Sequence, residues 1–389
     1  MKRLSVYLLS LVLMMGLFAC GTSEPTPEEP PQEPPAQEEP PVQIIPPTPE
    51  ELAAQRIENL LASMTTEEKI GQIFFVRVPT EEALEDNSTS HLGGYILFGR
   101  DTKNKTATDL IQTIAGWQDA ADIPLLIGVD EEGGTVVRVS SNENLRSEKF
   151  KSPQNVLAAG GLDAAIADSH EKNLLLKALG FNVNLAPVAD ISTNSEDFIY
   201  ARSTGLDAAG TCDYISAVTA QMTTDNMGSV LKHFPGYGNN VDTHTGIAND
   251  QRPLETFETS DLLPFQAGLA SGGNHTAILI SHNIITAVDE QFPASLSPAV
   301  HEWLRSELNF NGVVMTDDLA MAAVEAYAED GAVACMALEA GNDLIITTDY
   351  RTQIPKIIES VTSGQLSMEV INNACRRVLT WKQSLGLLE

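Results

Sequence analysis

Eight short, apolar, β-rich segments alternate with segments of helical periodicity, and this order predicts an α/β fold, a single (β/α)8 barrel of the TIM type. Apolar strands that alternate with amphipathic helices form a parallel sheet covered by helices. Eight such strands within residues 50–389 fit a closed barrel better than an open sheet. Ionisable residues follow five of the eight segments, which is where a barrel of this type places its functional groups.

The individual elements follow from where the apolar period changes along the chain. A strand alternates its side chains between two faces, whereas a helix repeats apolar residues three or four positions apart. The predicted strands are 73–78, 95–98, 125–129, 183–186, 230–234, 277–281, 313–316 and 344–347. The predicted helices include 51–64, 106–121, 164–179, 212–226, 319–340, 354–362 and 368–385.

Residues 1–20 have the composition of a secretion signal with a lipid attachment site. Lys2 and Arg3 precede an apolar stretch that is too short to span a membrane stably by itself. The ending at residues 17–20 resembles a bacterial lipobox, which makes Cys20 the expected lipid-modified residue. The chain is then an extracytoplasmic lipoprotein anchored to the cell membrane, although an ordinary cleaved signal or a membrane anchor remains the alternative.

Residues 21–49 form a predicted disordered linker between the signal and the barrel domain of residues 50–389. This segment holds 11 of the chain's 21 prolines, with glutamate and glutamine between them. Such a composition cannot bury enough apolar surface to fold. Because proline favours the extended polyproline II conformation, we expect the linker to act as a semi-rigid spacer.

Composition also excludes several classes of partner and cofactor. The formal net charge of −30 argues against nucleic acid or another anionic polymer as a partner. The seven histidines lack metal-ligand spacing, and no glycine-rich phosphate-binding loop is present, so neither a metal nor a cofactor is expected. Cys212, Cys335 and Cys375 offer no disulfide framework.

The charged residues at the strand ends predict where the site lies. An ionisable side chain that closes an apolar strand is costly to bury unless it meets a partner or a ligand. One such residue is ordinary, but five consecutive strand ends indicate a common site. The residues concerned are Asp130, Asp190, Lys232, His233, His282, Asp317 and Asp318.

The most informative segment is residues 232–244, which begins Lys-His-Phe-Pro-Gly and ends Asp-Thr-His. Asp242, two residues before His244, can hold one ring nitrogen and leave the other free for proton transfer. The segment resembles the signature of family 3 glycoside hydrolases, and within them the β-N-acetylglucosaminidase branch. The resemblance implies that His244 is the general acid and base and that Asp242 orients its ring.

A second segment, residues 312–318, resembles the strand that carries the nucleophile in this family. The resemblance implies that Asp317 attacks the anomeric carbon and that Asp318 makes structural hydrogen bonds behind the site. Hydrolysis with retention requires such a nucleophile and a separate acid and base. Because a neutral histidine repels an anionic acceptor less than a carboxylate does, the pattern also leaves a phosphorylase open.

The remaining sugar contacts are implied by position in the family pattern. Segment 130–134 with Arg138 resembles the Asp-x-Glu-Gly-Gly block, and segments 184–190 and 201–203 resemble the block that follows it. The implied substrate-binding residues are Asp130, Arg138, Arg202, Lys232 and His233. Tyr237 stands where the family often has histidine, which alters loop packing or the side that meets the leaving group.

The sequence therefore predicts a retaining, exo-acting β-N-acetylglucosaminidase on a single barrel. Expected substrates are terminal N-acetylglucosamine residues on peptidoglycan fragments or chitooligosaccharides. A β-glucosidase or a phosphorylase on the same fold is the first alternative. A sugar-binding lipoprotein without catalysis is the second, and it predicts two doubly wound lobes instead of one barrel.

Overall fold

A computed structural model describes residues 46–242, 246–327 and 332–388 of the chain. The predicted signal, the lipid attachment site at Cys20 and most of the linker lie outside these ranges. His244 also lies outside them, whereas Asp242 lies inside. Among the described residues, no helix has the length and apolar character needed to cross a membrane.

Eight parallel strands form the central sheet, and each of their ends lies within two residues of the position that the sequence predicts. They are β1 (Phe74–Arg77), β2 (Gly94–Leu97), β3 (Leu126–Val129), β4 (Val183–Asn184), β5 (Gly228–Phe234), β6 (Thr276–Ile280), β7 (Val314–Thr316) and β8 (Ile345–Thr347). The strands neighbour one another in chain order from β1 to β7, and β8 pairs with β1. The eight predicted strands and their parallel arrangement are therefore confirmed.

The sheet closes into a barrel between β7 and β8. A parallel bridge joins Met315 of β7 to Leu344, immediately before β8. The amide of Thr316 donates to the carbonyl of Leu344 over 3.1 Å. Closure leaves no strand edge open and brings all eight carboxyl ends to one face, so the predicted (β/α)8 barrel is confirmed.

Helices cover the outside of the barrel. The longer ones are α1 (Pro49–Ser63), α2 (Thr66–Gln72), α3 (Ala83–Ser90), α4 (Ala107–Asp119), α5 (Pro153–Ala178), α6 (Ala208–Thr224), α7 (Leu262–Gly272), α8 (Pro298–Glu307), α9 (Val333–Ala340), α10 (Tyr350–Ser363) and α11 (Met368–Ser384). Single turns occur at Gly99–Thr102, Leu254–Thr256, Phe257–Asp261 and Ala322–Glu325. Short two-stranded pairings join Glu131–Gly133 to Val136–Val137 and Asn249–Asp250 to Ile284–Ile285.

Local sequence fixes the helix starts. Thr48, Thr65 and Thr106 each accept a hydrogen bond from the third helical amide, and the acidic side chain there bonds back to the threonine amide. A cap of this kind stabilises a helix start by about 1 kcal/mol. Helix α5 is interrupted at Gly160 and Gly161, where the backbone leaves helical geometry.

Apolar side chains fill the inside of the barrel. One buried cluster contains Phe75, Ile96 and Leu126 from the first three strands and Val230 and Met315 from later ones. A larger cluster lies between the strands and the surrounding helices. Because both faces of each strand are buried, the strands read as continuous apolar runs, which is why the sequence locates them.

The predicted continuous helix at 319–340 is wrong. The described part of this region holds the single turn Ala322–Glu325 and the helix α9, and residues 328–331 lie outside the described ranges. Met321 has an extended backbone and is buried, as are Leu319 and Val324. The apolar spacing of this region arises from a loop that packs over the carboxyl end of the barrel, not from the face of a helix.

Candidate active site

The carboxyl ends of the strands surround a cavity of about 790 Å³. Six of the predicted site residues line this cavity together: Asp130, Arg138, Arg202, Lys232, His233 and Asp317. Asp242 lies on the loop after β5, outside the cavity wall formed by the described residues. Of the other strand-end residues, Asp190 and His282 are fully buried behind the wall.

Lys232, at the end of β5, is the centre of a buried ion network. Its Nζ atom lies 2.6 Å from Oδ1 of Asp130 and 2.7 Å from Oε1 of Glu132. Arg202 binds the same Glu132 carboxylate through two hydrogen bonds, of 2.7 and 3.0 Å. Two cations therefore share two carboxylates at the deep end of the cavity, so the charges are paired before any ligand binds.

The network keeps its members charged in spite of burial. Burial alone would raise the pKa of the Glu132 carboxyl, but the charges of Arg202 and Lys232 outweigh it and hold that pKa below its usual range. Burial likewise opposes the charge of Lys232, yet Asp130 and Glu132 raise its pKa above the ordinary value. Lys232 and Arg202 can thus present fixed N–H donors to hydroxyl groups near neutral pH.

His233 is held in a defined tautomer by two partners. Its Nδ1 atom lies 2.7 Å from Oδ2 of the fully buried Asp190, and its Nε2 atom lies 3.1 Å from Nη2 of Arg202. Because a guanidinium group can only donate, Nε2 accepts and Nδ1 carries the proton. The other oxygen of Asp190 accepts from the amide of Tyr237 over 2.7 Å, so this carboxylate fixes both the ring and the following turn.

Glu131 shapes the turn that carries Arg138, a role that sequence reasoning missed. Its buried carboxylate accepts from the amides of Arg138, Val139 and Ser140 at 2.7 to 3.1 Å. The neighbouring Gly133 has a φ of 105°, and a side-chain carbon there would lie 2.1 Å from the carbonyl of Lys151. The backbone at Gly133 therefore packs closely against the backbone of Lys151 in the same chain.

Asp317 follows β7 and faces the cavity. Its amide donates to the carbonyl of Ile280 over 3.1 Å, which ties the residue to the end of β6. One Asp317 oxygen accepts from the Asp318 amide at 2.8 Å, and Oδ1 of Asp318 accepts from Ala320 at 3.0 Å. The Nε2 atom of the buried His282 lies 3.1 Å from the carbonyl oxygen of Asp318. Asp318 thus makes hydrogen bonds in the turn that presents Asp317, but it lines the cavity and does not lie behind it.

The loop that carries Asp242 is held at its base by Arg252, which the sequence did not reveal. The Arg252 guanidinium bonds to Asp250 and Asp261, each at 2.7 Å, and to the carbonyl of Gly236 at 2.9 Å. Burial raises the pKa of Asp261 to about 6, although Arg252 opposes this shift. The two ends of the loop are therefore joined through one partly buried arginine.

A closed eight-stranded barrel with carboxylates and fixed cations around a cavity at its carboxyl end is the arrangement that barrel enzymes use to bind polar ligands. The comparison with protein families gives the same class. Residues 65–381 match the model described as the glycosyl hydrolase family 3 N terminal domain. The chain belongs to glycosyl hydrolase family 3, and it is a glycoside hydrolase.

Relatives with similar sequences are β-hexosaminidases by name. One, from Xylella fastidiosa strain M12, is 31% identical over 275 residues, which cover 68% of this chain and 77% of the relative. Another, from Stenotrophomonas maltophilia strain K279a, is 32% identical over 265 residues, or 66% of this chain and 76% of the relative.

Solved structures confirm the fold. A family 3 β-N-acetylglucosaminidase from a Paenibacillus species matches with a TM-score of 0.77 and 29% identity. The match covers 84% of this chain but only 63% of that protein. A family 3 member from Mycobacterium smegmatis matches with a TM-score of 0.73 and 28% identity, over 82% of this chain and 97% of its own.

Proposed function

We propose that the protein is a retaining, exo-acting β-N-acetylglucosaminidase. The observation that carries the proposal is the position of Asp317, which faces the same cavity as the charged network around Lys232. That arrangement offers a carboxylate nucleophile beside donors and acceptors for sugar hydroxyls. The β-hexosaminidase and β-N-acetylglucosaminidase names of the similar proteins support the choice of sugar.

In the proposed reaction, an Asp317 oxygen attacks the anomeric carbon as His244 gives a proton to the glycosidic oxygen. The carbon–oxygen bond to the leaving group breaks, and a covalent glycosyl-enzyme ester forms. His244 then removes a proton from water, which attacks the anomeric carbon and releases Asp317. Asp242 orients the imidazole and stabilises its charged form.

The proposed sugar contacts are Asp130, Arg138, Arg202, Lys232 and His233. The ion network holds Asp130, Lys232 and Arg202 in place, so binding of the sugar requires little further ordering of these side chains. The proposed substrates are terminal N-acetylglucosamine residues on peptidoglycan fragments or chitooligosaccharides. The single barrel speaks against the sugar-binding alternative, which predicts two lobes.

We further propose that the enzyme works outside the cytoplasm, held to the membrane through a lipid on Cys20. The basic, apolar and small residues of positions 1–20 support this, together with the proline-rich spacer that follows. Metabolic labelling with a palmitate analogue should mark the parent chain and leave a Cys20→Ala variant unlabelled. Equal labelling of the two chains would contradict the anchor.

Release of 4-nitrophenol from its β-N-acetylglucosaminide by residues 50–389 tests the activity. We expect turnover by the parent and a loss of at least about a thousandfold in Asp317→Ala, because the nucleophile is absent. Circular dichroism confirms that the variant is folded. Parallel assays with the β-glucoside, and with and without phosphate, separate the β-glucosidase and phosphorylase alternatives. Substantial turnover by Asp317→Ala contradicts the assignment.

His244→Ala gives a second test. An acid that protonates the leaving oxygen matters most for leaving groups that depart poorly. We expect a larger loss on chitobiose than on the activated aryl glycoside, measured as kcat/KM for each. Equal losses on both substrates would argue against the acid role.

A further inference from the structure

Two arginines on one wall of the cavity have no role in the buried network. Arg77 ends β1, and Arg138 lies on the turn after β3; both face the cavity. The Arg77 guanidinium stacks on the Phe98 ring, 4.3 Å from its centroid. A side-chain carbon added at the next residue, Gly99, would lie 3.9 Å from Cδ of Arg138. The two residues that follow β2 therefore lie beside the two arginines, which places both arginines on the same part of the wall.

Neither guanidinium is neutralised by the described residues. Among the ion pairs there, none involves Arg77 or Arg138, whereas Arg202 in the same cavity pairs with Glu132 at 2.7 Å. The Nε atoms of Arg77 and Arg138 are both buried without a hydrogen-bond partner. A buried donor left unpaired is destabilising, so both groups retain an unmet capacity to bind an acceptor.

The pair is positioned before any ligand arrives. The Arg138 amide donates to Glu131 at 2.8 Å, and the Arg138 carbonyl accepts from the Thr102 hydroxyl at 2.6 Å. Phe98 restricts the plane of the Arg77 guanidinium through the stacking contact. Arginine is suited to planar, bidentate recognition of oxyanions, and the anchored Arg138 backbone and the stacked Arg77 side chain reduce the freedom that is lost on binding.

We propose that Arg77 and Arg138 form a binding site for an oxyanion in the ligand of this cavity. The proposal rests on the proposed glycosidase activity, and it identifies Arg77 as a residue that selects substrates. The oxyanion is either a carboxylate on the sugar next to the cleaved bond or free phosphate. Asp317, Asp318 and Asp349 also line the cavity and repel an anion, so the arginine side of the wall is the favoured position.

The first arm of the test compares two disaccharides that differ in one group. In one, N-acetylglucosamine is β-linked to glucuronic acid; in the other, it is linked in the same way to glucose. We expect the parent to favour the acidic disaccharide by at least about tenfold in kcat/KM. Arg77→Gln should lose most of this preference, and Arg77→Lys should keep part of it. Arg56→Gln, at an exposed position on α1, is the matched control and should keep all of it.

The second arm measures binding of inorganic phosphate by calorimetry, without any glycoside. Binding to the parent and to Arg56→Gln that weakens at least about tenfold in Arg77→Gln supports the site and identifies phosphate as its ligand. If the parent cleaves no N-acetylglucosaminide, the proposed function fails, but binding of phosphate and of the two disaccharides still tests the site. A parent that binds no phosphate and does not discriminate between the disaccharides overturns the proposal.

Discussion

A buried lysine lies at each end of the barrel, and the surroundings shift the pKa values of these two lysines in opposite directions. At the carboxyl end, Lys232 lies between Asp130 and Glu132, and its pKa is raised. At the amino end, Lys382 of α11 is fully buried and donates to the neutral side chain of Gln72 at 2.6 Å. There burial lowers the pKa of Lys382 to about 7.

The difference separates a charge that the fold maintains from a charge that it opposes. Both ammonium groups lose contact with water, but only Lys232 receives anions in exchange. A fixed charge beside the cavity is useful for holding a polar ligand, whereas a charge at the far end of the barrel has no ligand to meet. The same side chain therefore marks a binding site at one end and a packing position at the other.

The largest expected effect is that of Lys232→Met. It leaves Asp130 and Glu132 without their shared cation, and breaking a buried pair costs about 3–5 kcal/mol. We expect a fall of this size in the free energy of unfolding in urea at pH 7. Activity on the aryl N-acetylglucosaminide should fall by at least about a hundredfold, since the sugar contacts lose their order. Unchanged stability would show that the network contributes nothing to the fold.

The same substitution at the other end, Lys382→Met, should act in the opposite direction. Between pH 7 and the ordinary lysine pKa of 10.5, the folded chain binds fewer protons at Lys382 than the unfolded chain does. The parent therefore gains stability as pH rises, and loses it as pH falls toward 7. We expect Lys382→Met to be more stable than the parent at pH 7, with an advantage that shrinks by roughly 2 kcal/mol by pH 9.

Urea unfolding at pH 7, 8 and 9 measures this effect for Lys382→Met. Lys356→Met, at an exposed position on α10, is the control and should show no such pH dependence. A Lys382→Met variant whose stability difference from the parent is constant across this range would mean that Lys382 keeps its charge when buried.

A smaller effect is expected at Asp261, which is buried with a cation but also near other carboxylates. Burial and the nearby Asp190 and Asp250 raise its pKa from 3.8 to about 6, in spite of Arg252. The folded chain binds more protons here than the unfolded chain between these values, so this group's contribution to stability is lost as pH rises through about 6. Relative to Asp261→Asn, the parent should lose about 1–2 kcal/mol between pH 4.5 and 7.

Thermal unfolding of the parent and Asp261→Asn across that pH range provides the comparison. Asp163→Asn, at an exposed position in α5, supplies the control for a general pH effect. A parent that gains stability relative to Asp261→Asn as pH rises would reverse the assigned sign and place an ionised Asp261 in the fold.

The strands and the main site residues were predictable because each rests on a local pattern. Strands buried on both faces give continuous apolar runs, and strand ends such as Asp130 and Asp317 carry charges that stand out against them. Helix α3 was missed because Ala83–Ser90 is largely polar. The region after Leu319 was misread because a loop that packs over the barrel can repeat apolar residues as a helix does.

The pairings within the site could not be predicted, since they join residues that are distant in the chain. Glu132 meets Arg202 across 70 positions, and Arg252 reaches back 16 positions to the carbonyl of Gly236. Arg77 belongs to no sequence motif. It stands out only in the structure, where its Nε atom is buried without a hydrogen-bond partner. Sequence located the groups that can do chemistry, whereas the structure showed which of them are already neutralised.

The most direct test of the account is to trap the covalent intermediate with a 5-fluoro glycosyl fluoride of N-acetylglucosamine and locate it by peptide mass spectrometry. We expect one labelled peptide, with the sugar on Asp317, and loss of the label in Asp317→Ala. A label on Asp318 or another carboxylate, or cleavage with inversion and no labelled peptide, would contradict it.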